Sequence, residues 1–303
     1  MKPLISVIIP CYNQARYLPE ALESLLAQSL QDWECIVVND GSTDNTIEVA
    51  AAYEARDSRI RLVSQKNRGL SGARNRGIDE AKGNWIQFLD ADDFIAPEKF
   101  QLQIDALIEV KGLALCYSDY LNCHQDDVNQ TVKRDNFPLP RFILDNPLHD
   151  IAARWETQFS IPVHSYLFDA NFFREKGIRF DETLPNHEDW DCWMQIFALE
   201  PIVKLTPGPL ATYRICDAAM CMNKQRMWHG FRKAIRKQQR VFRHDPVMRR
   251  ILSDKFREMK NAYGENKYLL VIMKVRKFSN RIYTRLMPWP IQKFIANISR
   301  TVR

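Results

Sequence analysis

The stretch Trp85-Ile-Gln-Phe-Leu-Asp-Ala-Asp-Asp93 joins an apolar run of strand length to three carboxylates. Polar side chains that directly follow a buried strand lie at its carboxyl end, where α/β sheets bind their ligands. Upstream, apolar runs of strand length begin at Ile5, Glu34 and Ile60, and segments with helical spacing separate them. The alternation continues to a fifth run over 113–120. It predicts an α/β fold with a doubly wound, mostly parallel sheet and helices on both faces.

The composition is that of an ordinary globular protein. The chain has 303 residues, of which 46% are hydrophobic and 26% are charged, so collagen, low-complexity disorder and a disulfide scaffold are excluded. No apolar run approaches the roughly 18 residues that a membrane span needs, and the N-terminal segment lacks a signal-peptide cleavage site. Seven cysteines without a Cys-x-x-Cys pair indicate reduced thiols. We therefore expect a cytoplasmic protein.

The charge is divided unevenly along the chain. Residues 222–303 carry a net charge of +18, whereas residues 1–221 carry −12. A basic terminal region is typical of contact with phosphates, on lipids or on nucleic acids. We predict that residues 222–303 form basic helices, and the alternative that these helices pack on the acidic body stays open.

Two groups of carboxylates follow predicted strands. Asp40 comes directly after a buried strand and precedes Gly41, so it either accepts hydrogen bonds from a ligand or caps the next helix. Asp90, Asp92 and Asp93 repel one another unless a cation or a ligand compensates, and carboxylate oxygens suit hard divalent metals. The alternative is a solvated turn that caps the helix near Pro97.

Two further motifs have a functional and a structural interpretation. Arg68, Arg74 and Arg76 lie in a glycine-containing segment that suits diphosphate recognition, or they form a solvated helix face. Glu188 and Asp189 begin a predicted helix, where the helix dipole keeps carboxylates ionised. An ionised carboxylate can act as a base, although capping of the helix explains the same pattern.

Taken together, these motifs resemble family 2 glycosyltransferases over roughly residues 4–216. The matching segments, in the order seen in that family, are Ser6-Val-Ile-Ile-Pro-Cys-Tyr-Asn13, Val37-Val-Asn-Asp-Gly-Ser-Thr-Asp44, Asn67-Arg-Gly-Leu-Ser71, Ala73-Arg-Asn-Arg-Gly77, Phe88-Leu-Asp-Ala-Asp-Asp93 and Glu188-Asp-Trp190. The resemblance implies a GT-A fold with one mixed sheet: a nucleotide-sugar half over 1–120 and an acceptor half over 121–221. It also implies inverting transfer from a nucleotide-sugar, most often a UDP-sugar, with Mg²⁺ or Mn²⁺.

The resemblance also implies roles for individual residues. The nucleobase would be held by Pro10, Tyr12 and Asp40, and Arg74 would lie near the nucleotide. Asp90 and Asp92 would serve the ribose and the metal, with Asp93 as a further metal candidate. Asp189 would be the catalytic base.

One motif departs from the family. Many relatives show Tyr-Arg-x-His after the second half, and the His can complete the metal site, but this chain has Tyr213-Arg-Ile-Cys216. A thiol is a soft ligand that suits Mg²⁺ poorly. Asp217 is therefore a further candidate ligand, and the effect of Cys216 on metal dependence stays open.

We expect an enzyme that transfers sugar to a glycan or a lipid-linked acceptor in surface polysaccharide biosynthesis. The alternative is a catalytically inactive carbohydrate-binding or scaffold protein of the same fold. Nucleic acid is not an expected partner, because no nucleic-acid recognition motif accompanies the basic charge. Basic helices with aromatic anchors such as Trp228 and Phe231 can lie in a membrane interface. We therefore predict peripheral attachment to the anionic inner face of the cell membrane through residues 222–303.

Overall fold

The computed structural model describes residues 2–132, 140–158, 160–216 and 223–263. Its strands form a nine-stranded sheet. The strands are β1 (Ile5–Cys11), β2 (Trp33–Asn39), β3 (Ile60–Ser64), β4 (Trp85–Phe88), β5 (Phe94–Ile95), β6 (Ala114–His124), β7 (Asp127–Val132), β8 (Tyr166–Asp169) and β9 (Ile202–Ile215).

The strand order is β3-β2-β1-β4-β8-β6-β9-β5, and β7 pairs with β6 outside this path. Strands β1 to β4 are parallel to their neighbours within that group. Strand β8 is antiparallel to both β4 and β6, whereas β6 and β9 are parallel. The α/β class and the mixed sheet are thus confirmed. Strand β8 departs from the mostly parallel sheet predicted from the strand pattern, because it enters between β4 and β6 in the opposite direction.

Helices connect these strands. They are α1 (Leu18–Leu26), α2 (Thr46–Arg56), α3 (Gly69–Glu80), α4 (Lys99–Leu107), α5 (Pro147–Arg154), α6 (Asn171–Arg174), α7 (Glu188–Phe197), α8 (Lys224–Val241) and α9 (Pro246–Tyr263). A short 3-10 helix spans Val163–Ser165.

Helix α3 packs closely on β1, and this contact depends on a glycine. A Cβ atom on Gly77 would lie 2.2 Å from Cγ2 of Ile8, so only glycine permits this approach. The close packing holds α3 against β1, which lies between β2 and β4 in the sheet. Arg74, one turn earlier on the helix, is therefore buried near the residues that follow these strands.

The basic helix α8 packs against α7, and contacts group Met1–Phe256 into one compact unit. Phe231 is buried, and Trp228 stacks on it with 6.2 Å between ring centroids. The prediction that these two aromatic side chains anchor the protein in a membrane therefore needs correction, because both are used in packing. The three-part division of the chain stays a prediction, and residues 264–303 lie outside the described residues.

Candidate active site

A cleft of about 1110 Å³ opens at the carboxyl ends of β1, β2 and β4. It brings together seven side chains that the sequence singles out, although they are spread over 180 positions of the chain. These are Pro10, Tyr12, Asp40, Arg74, Asp90, Asp92 and Asp189. Parallel strands end at one edge of a sheet, so the residues that follow β1, β2 and β4 meet there.

The Asp40 carboxylate organises the loop that leads into α3. Its Oδ1 accepts hydrogen bonds from Gln65 Nε2 at 2.7 Å and from the Arg68 N–H at 2.8 Å, and its Oδ2 accepts from the Gly69 N–H at 2.8 Å. Helix α2 follows Asn45, so Asp40 does not cap the next helix; it caps α3 instead. A carboxylate has about four acceptor positions, and these bonds leave one for a ligand.

Tyr12 presents half of its surface to the cleft, at 50% exposure. The chain turns sharply after it, because Asn13 has a positive φ of 55° and its Oδ1 accepts the Thr43 N–H at 2.8 Å. An exposed aromatic ring held by a rigid turn suits stacking against a flat ligand group. The nucleobase role of Tyr12 and Pro10 stays a prediction.

Arg74 joins the two halves of the cleft. Its guanidinium donates to Asp90 Oδ1 at 2.9 Å and to Glu188 Oε1 at 2.9 Å, and its side chain is only 3% exposed. Burial opposes the charged form, but the Asp90 and Glu188 carboxylates outweigh it and raise the pKa of Arg74. Arg68 and Arg76 form exposed ion pairs instead, so the solvated-face interpretation applies to them.

Asp93 points away from the cleft. Its Oδ1 accepts the Arg214 N–H at 2.7 Å, and its Oδ2 lies 2.9 Å from His164 Nδ1. The residue is buried, and it does not line the cleft. The suggestion that Asp93 binds a metal is therefore wrong for this arrangement, since both carboxylate oxygens hold the turn in place.

Asp92 is the carboxylate whose surroundings fit a cation. Burial, followed by the charges of Asp93 and Asp90, raises the pKa of Asp92 to about 7. Within the described ranges, no group of three acidic, histidine or cysteine side chains is arranged to hold a metal ion. Magnesium is commonly held by one or two carboxylates and completed by substrate phosphates. Asp92, with the free oxygen of Asp90, fits a metal of that kind.

Cys216 lies at the rim of this region. It lines the cleft, and its thiol is hydrogen-bonded to the Tyr17 hydroxyl. Burial and the nearby Asp92 charge raise the pKa of Cys216, which keeps the thiol protonated and a poor metal ligand. Asp217, the other candidate, lies outside the described residues.

Asp189 lies in the first turn of α7 and lines the cleft. Its Oδ1 accepts the Trp190 N–H at 2.7 Å, so part of the capping interpretation holds. Burial and the Glu188 charge raise the pKa of Asp189 to about 6, and the charges of His187 and Arg74 oppose that rise. A carboxylate with a pKa near neutrality matches the requirement for a general base.

Sequence reasoning missed two residues beside Asp189. Glu156 and His187 line the cleft, and Glu156 Oε1 lies 3.0 Å from His187 Nε2. No local pattern predicts this pair, because 31 positions separate its members. The sequence motif over 213–216 includes Arg214 but assigns it no role. Its Nε donates to the Asp92 carbonyl oxygen at 2.6 Å, so Arg214 supports the turn that carries Asp90 and Asp92.

Comparison with known proteins identifies relatives of this chain. The family model described as Glycosyl transferase family 2 matches residues 6–168. The chain is 34% identical over 220 residues to the uncharacterized glycosyltransferase EpsJ of Bacillus subtilis (strain 168). This match covers 71% of this chain and 62% of that protein. It is 30% identical over 194 residues to the chondroitin synthase of Pasteurella multocida (strain Pm70), covering 64% of this chain and 19% of that protein. The chain thus spans less than two thirds of the length of either relative.

Two solved structures share the architecture. The crystal structure of S. aureus TarS 1-349 in complex with UDP-GlcNAc aligns with a TM-score of 0.63 at 18% identity, over 93% of this chain and 77% of that chain. The mannosyltransferase PcManGT from Pyrobaculum calidifontis, in complex with GDP-Man and Mn²⁺, aligns with a TM-score of 0.62 at 15% identity, over 99% and 81%. These likenesses show the GT-A fold. Because the family model matches more than half of the chain, this protein belongs to glycosyl transferase family 2.

Proposed function

We propose that this chain is an inverting glycosyltransferase that moves a sugar from a nucleotide-sugar, most often a UDP-sugar, to a hydroxyl of a glycan or a lipid-linked acceptor. The observation that carries the proposal is one cleft lined by Asp189, Asp90 and Asp92, in which Arg74 bridges Asp90 to Glu188, the neighbour of Asp189. Relatives named as EpsJ and chondroitin synthase support a role in surface polysaccharide biosynthesis.

Each residue has one task in this mechanism. Asp40, Tyr12 and Pro10 bind the nucleobase at the ends of β1 and β2. The Asp189 carboxylate accepts the proton of the acceptor hydroxyl. The hydroxyl oxygen then attacks the anomeric carbon on the face opposite the nucleotide. Asp92, with Asp90, would hold Mg²⁺ or Mn²⁺, and the metal would supply positive charge that stabilises the departing diphosphate.

Arg74 couples these tasks electrostatically. Its buried positive charge lies between Asp90 and Glu188, so it offsets the negative charge that a diphosphate adds to an acidic cleft. The same charge favours the ionised form of Asp189. A binding or scaffold protein has no need of an ionised carboxylate facing the acceptor side, which favours the enzyme over the inactive alternative.

A screen of nucleotide-sugars tests the proposal. We expect at least one UDP-sugar at a concentration of about 100 Kd to raise Tm by about 5–10 °C, and we expect Mn²⁺ to enhance the shift. The same nucleotide-sugar should be consumed in the presence of an acceptor, which separates the enzyme from the inactive alternative. The proposal fails if no nucleotide-sugar protects the protein, with or without Mn²⁺.

We also propose peripheral attachment to an anionic membrane through the basic C-terminal region. No helix within the described ranges combines the length and apolar character that a bilayer crossing requires. On α8, Lys233, Arg236 and Arg240 are exposed at helical spacing on one face. These cations suit an anionic leaflet, where each basic residue contributes about 1 kcal/mol.

Liposome co-sedimentation of the full-length chain tests this attachment. Lys233→Gln/Arg236→Gln/Arg240→Gln should weaken binding to anionic liposomes by about 100-fold, since three cations contribute about 3 kcal/mol. The matched control neutralises three exposed lysines outside the basic region: Lys82, Lys111 and Lys176. If liposome binding does not change with salt, with lipid charge or with the α8 substitutions, the membrane role is excluded.

A further inference from the structure

Glu156 is a carboxylate that the folded chain leaves partly unused. It follows α5, lines the cleft, and is 19% exposed in its side chain. One oxygen, Oε1, lies 3.0 Å from His187 Nε2. The other, Oε2, is buried and accepts no hydrogen bond from any residue that the structure describes. A buried acceptor without a donor is destabilising, and more so when it is charged, so the folded chain does not fully satisfy the Glu156 carboxylate and a ligand can supply a further donor to it.

The backbone at this pair is strained on both sides. Glu156 has a φ of +61° and His187 a φ of +58°, in the left-handed region that non-glycine residues seldom adopt. Such residues destabilise the fold and cluster at ligand sites. Here both members of one ion pair are strained, and both face the same cleft.

Surrounding contacts hold His187 before any ligand binds. Its Nδ1 lies 2.5 Å from Asn186 Oδ1, and its ring packs edge-on against Phe231 with 5.4 Å between centroids. Asn186 is itself fixed by α8, because its Nδ2 donates to the Arg226 carbonyl oxygen at 2.8 Å. Burial opposes the charged form of His187, but Glu156 outweighs it and raises the pKa of the imidazole. The pair is therefore pre-organised, and Glu156 favours the charged form of His187.

The pair lies on the acceptor side of the cleft. His187 is two residues before Asp189, the proposed base, whereas the proposed nucleobase contacts come from the ends of β1 and β2. Ile161, Pro162 and Val163 line the same cleft. A polar oxygen next to an apolar wall matches a sugar ring, which presents hydroxyl groups at its edge and C–H groups on its face.

We propose that Glu156 and His187 form a hydroxyl-binding subsite for the acceptor sugar. The partly exposed Glu156 carboxylate accepts a hydrogen bond from a hydroxyl next to the one that attacks, and His187 keeps this carboxylate in place. Two hydroxyls of one ring are then held, one at Glu156 and one at Asp189, which orients the acceptor for transfer. This inference rests on the proposed function and assigns its acceptor class: a sugar with a second free hydroxyl adjacent to the reacting one.

The test uses the nucleotide-sugar that the donor screen identifies and four simple acceptors. These are the methyl β-glycosides of glucose, galactose, N-acetylglucosamine and glucuronic acid. We expect Glu156→Ala to raise the KM of the accepted glycoside about tenfold, in line with loss of one hydrogen bond to a charged group. The affinity for UDP should stay within about twofold, because no nucleotide contact is removed.

Glu200→Ala is the matched control. Glu200 is also a glutamate with a left-handed φ, of +50°, but it is exposed and does not line the cleft. It should leave acceptor KM and UDP affinity unchanged. Glu156→Gly, which relieves the backbone strain, and Glu156→Gln, which keeps the shape, provide folded variants if the alanine variant is unstable.

The outcomes separate the inference from the function on which it rests. A wild-type protein that neither binds nor consumes any nucleotide-sugar overturns both. A wild-type enzyme that transfers sugar, with the same acceptor KM in the Glu156 variants, overturns the subsite alone. The subsite is also overturned if the Glu156 variants shift the acid limb of the pH profile of turnover without changing acceptor KM. Glu156 would then act only through the charge of His187. With a deoxy glycoside that lacks the adjacent hydroxyl, the wild type and Glu156→Ala should have the same acceptor KM.

Discussion

Asp189→Asn is expected to lower turnover about 10²-fold or more while leaving UDP affinity nearly unchanged. The amide has the size of the carboxylate and keeps the hydrogen bond from the Trp190 N–H, but it cannot take the acceptor proton. End-point assays of sugar transfer, with the donor identified by screening, measure turnover. Calorimetric titration with UDP measures the nucleotide affinity. Turnover close to the wild-type value would exclude Asp189 as the base.

The pH dependence provides a second readout of the same assignment. Burial and Glu188 raise the pKa of Asp189 to about 6. The base is therefore protonated and inactive well below pH 6, and activity should rise as pH increases through that value. Asp189→Asn should remove this acid limb from the residual activity.

Asp191 is a matched control on the same helix. It is buried, and its oxygens accept from Lys237 Nζ at 2.7 Å and from Gln238 Nε2 at 2.7 Å, so it faces α8 and does not line the cleft. Asp191→Asn should lower Tm because it weakens a buried charged network. Turnover per folded molecule should stay close to that of the wild type, in contrast to Asp189→Asn.

Asp92→Ala is expected to abolish the part of UDP affinity that depends on Mn²⁺. Without a cation, the diphosphate would be placed next to Asp90 and Asp92, and two like charges about 4 Å apart repel by about 4 kcal/mol at an effective dielectric of 20. Titration of UDP with Mn²⁺ and with a chelator, in the wild type and the variant, measures the difference. If the chelator changes neither affinity nor turnover of the wild type, the metal has no role.

Asp93→Asn is the control for that experiment. Its carboxylate holds His164 and the Arg214 N–H and does not line the cleft. We expect a loss of stability with UDP still bound in a metal-dependent way. Equal losses of Mn²⁺-dependent affinity in both variants would mean that the shape of the turn, and not the Asp92 carboxylate, controls binding.

The local sequence identified those cleft residues that directly follow strands. Asp40 and Asp90 each come directly after or within two residues of a strand end, and parallel strands bring such positions to one edge. The prediction therefore required only the strand pattern and the knowledge of where ligands bind in α/β sheets. It could not separate Asp92 from Asp93, because neighbouring residues in a turn point in different directions that only their partners determine.

The sequence by itself determined the α/β class, the family and the carboxylates that meet in the cleft, because each depends on short-range order along the chain. The tertiary structure alone decided the direction of β8, the bridge of Arg74 from Asp90 to Glu188, and the pair of Glu156 with His187. These contacts join residues far apart in sequence. Their formation depends on how helices and strands pack in three dimensions, and no local spacing records which side chains then meet.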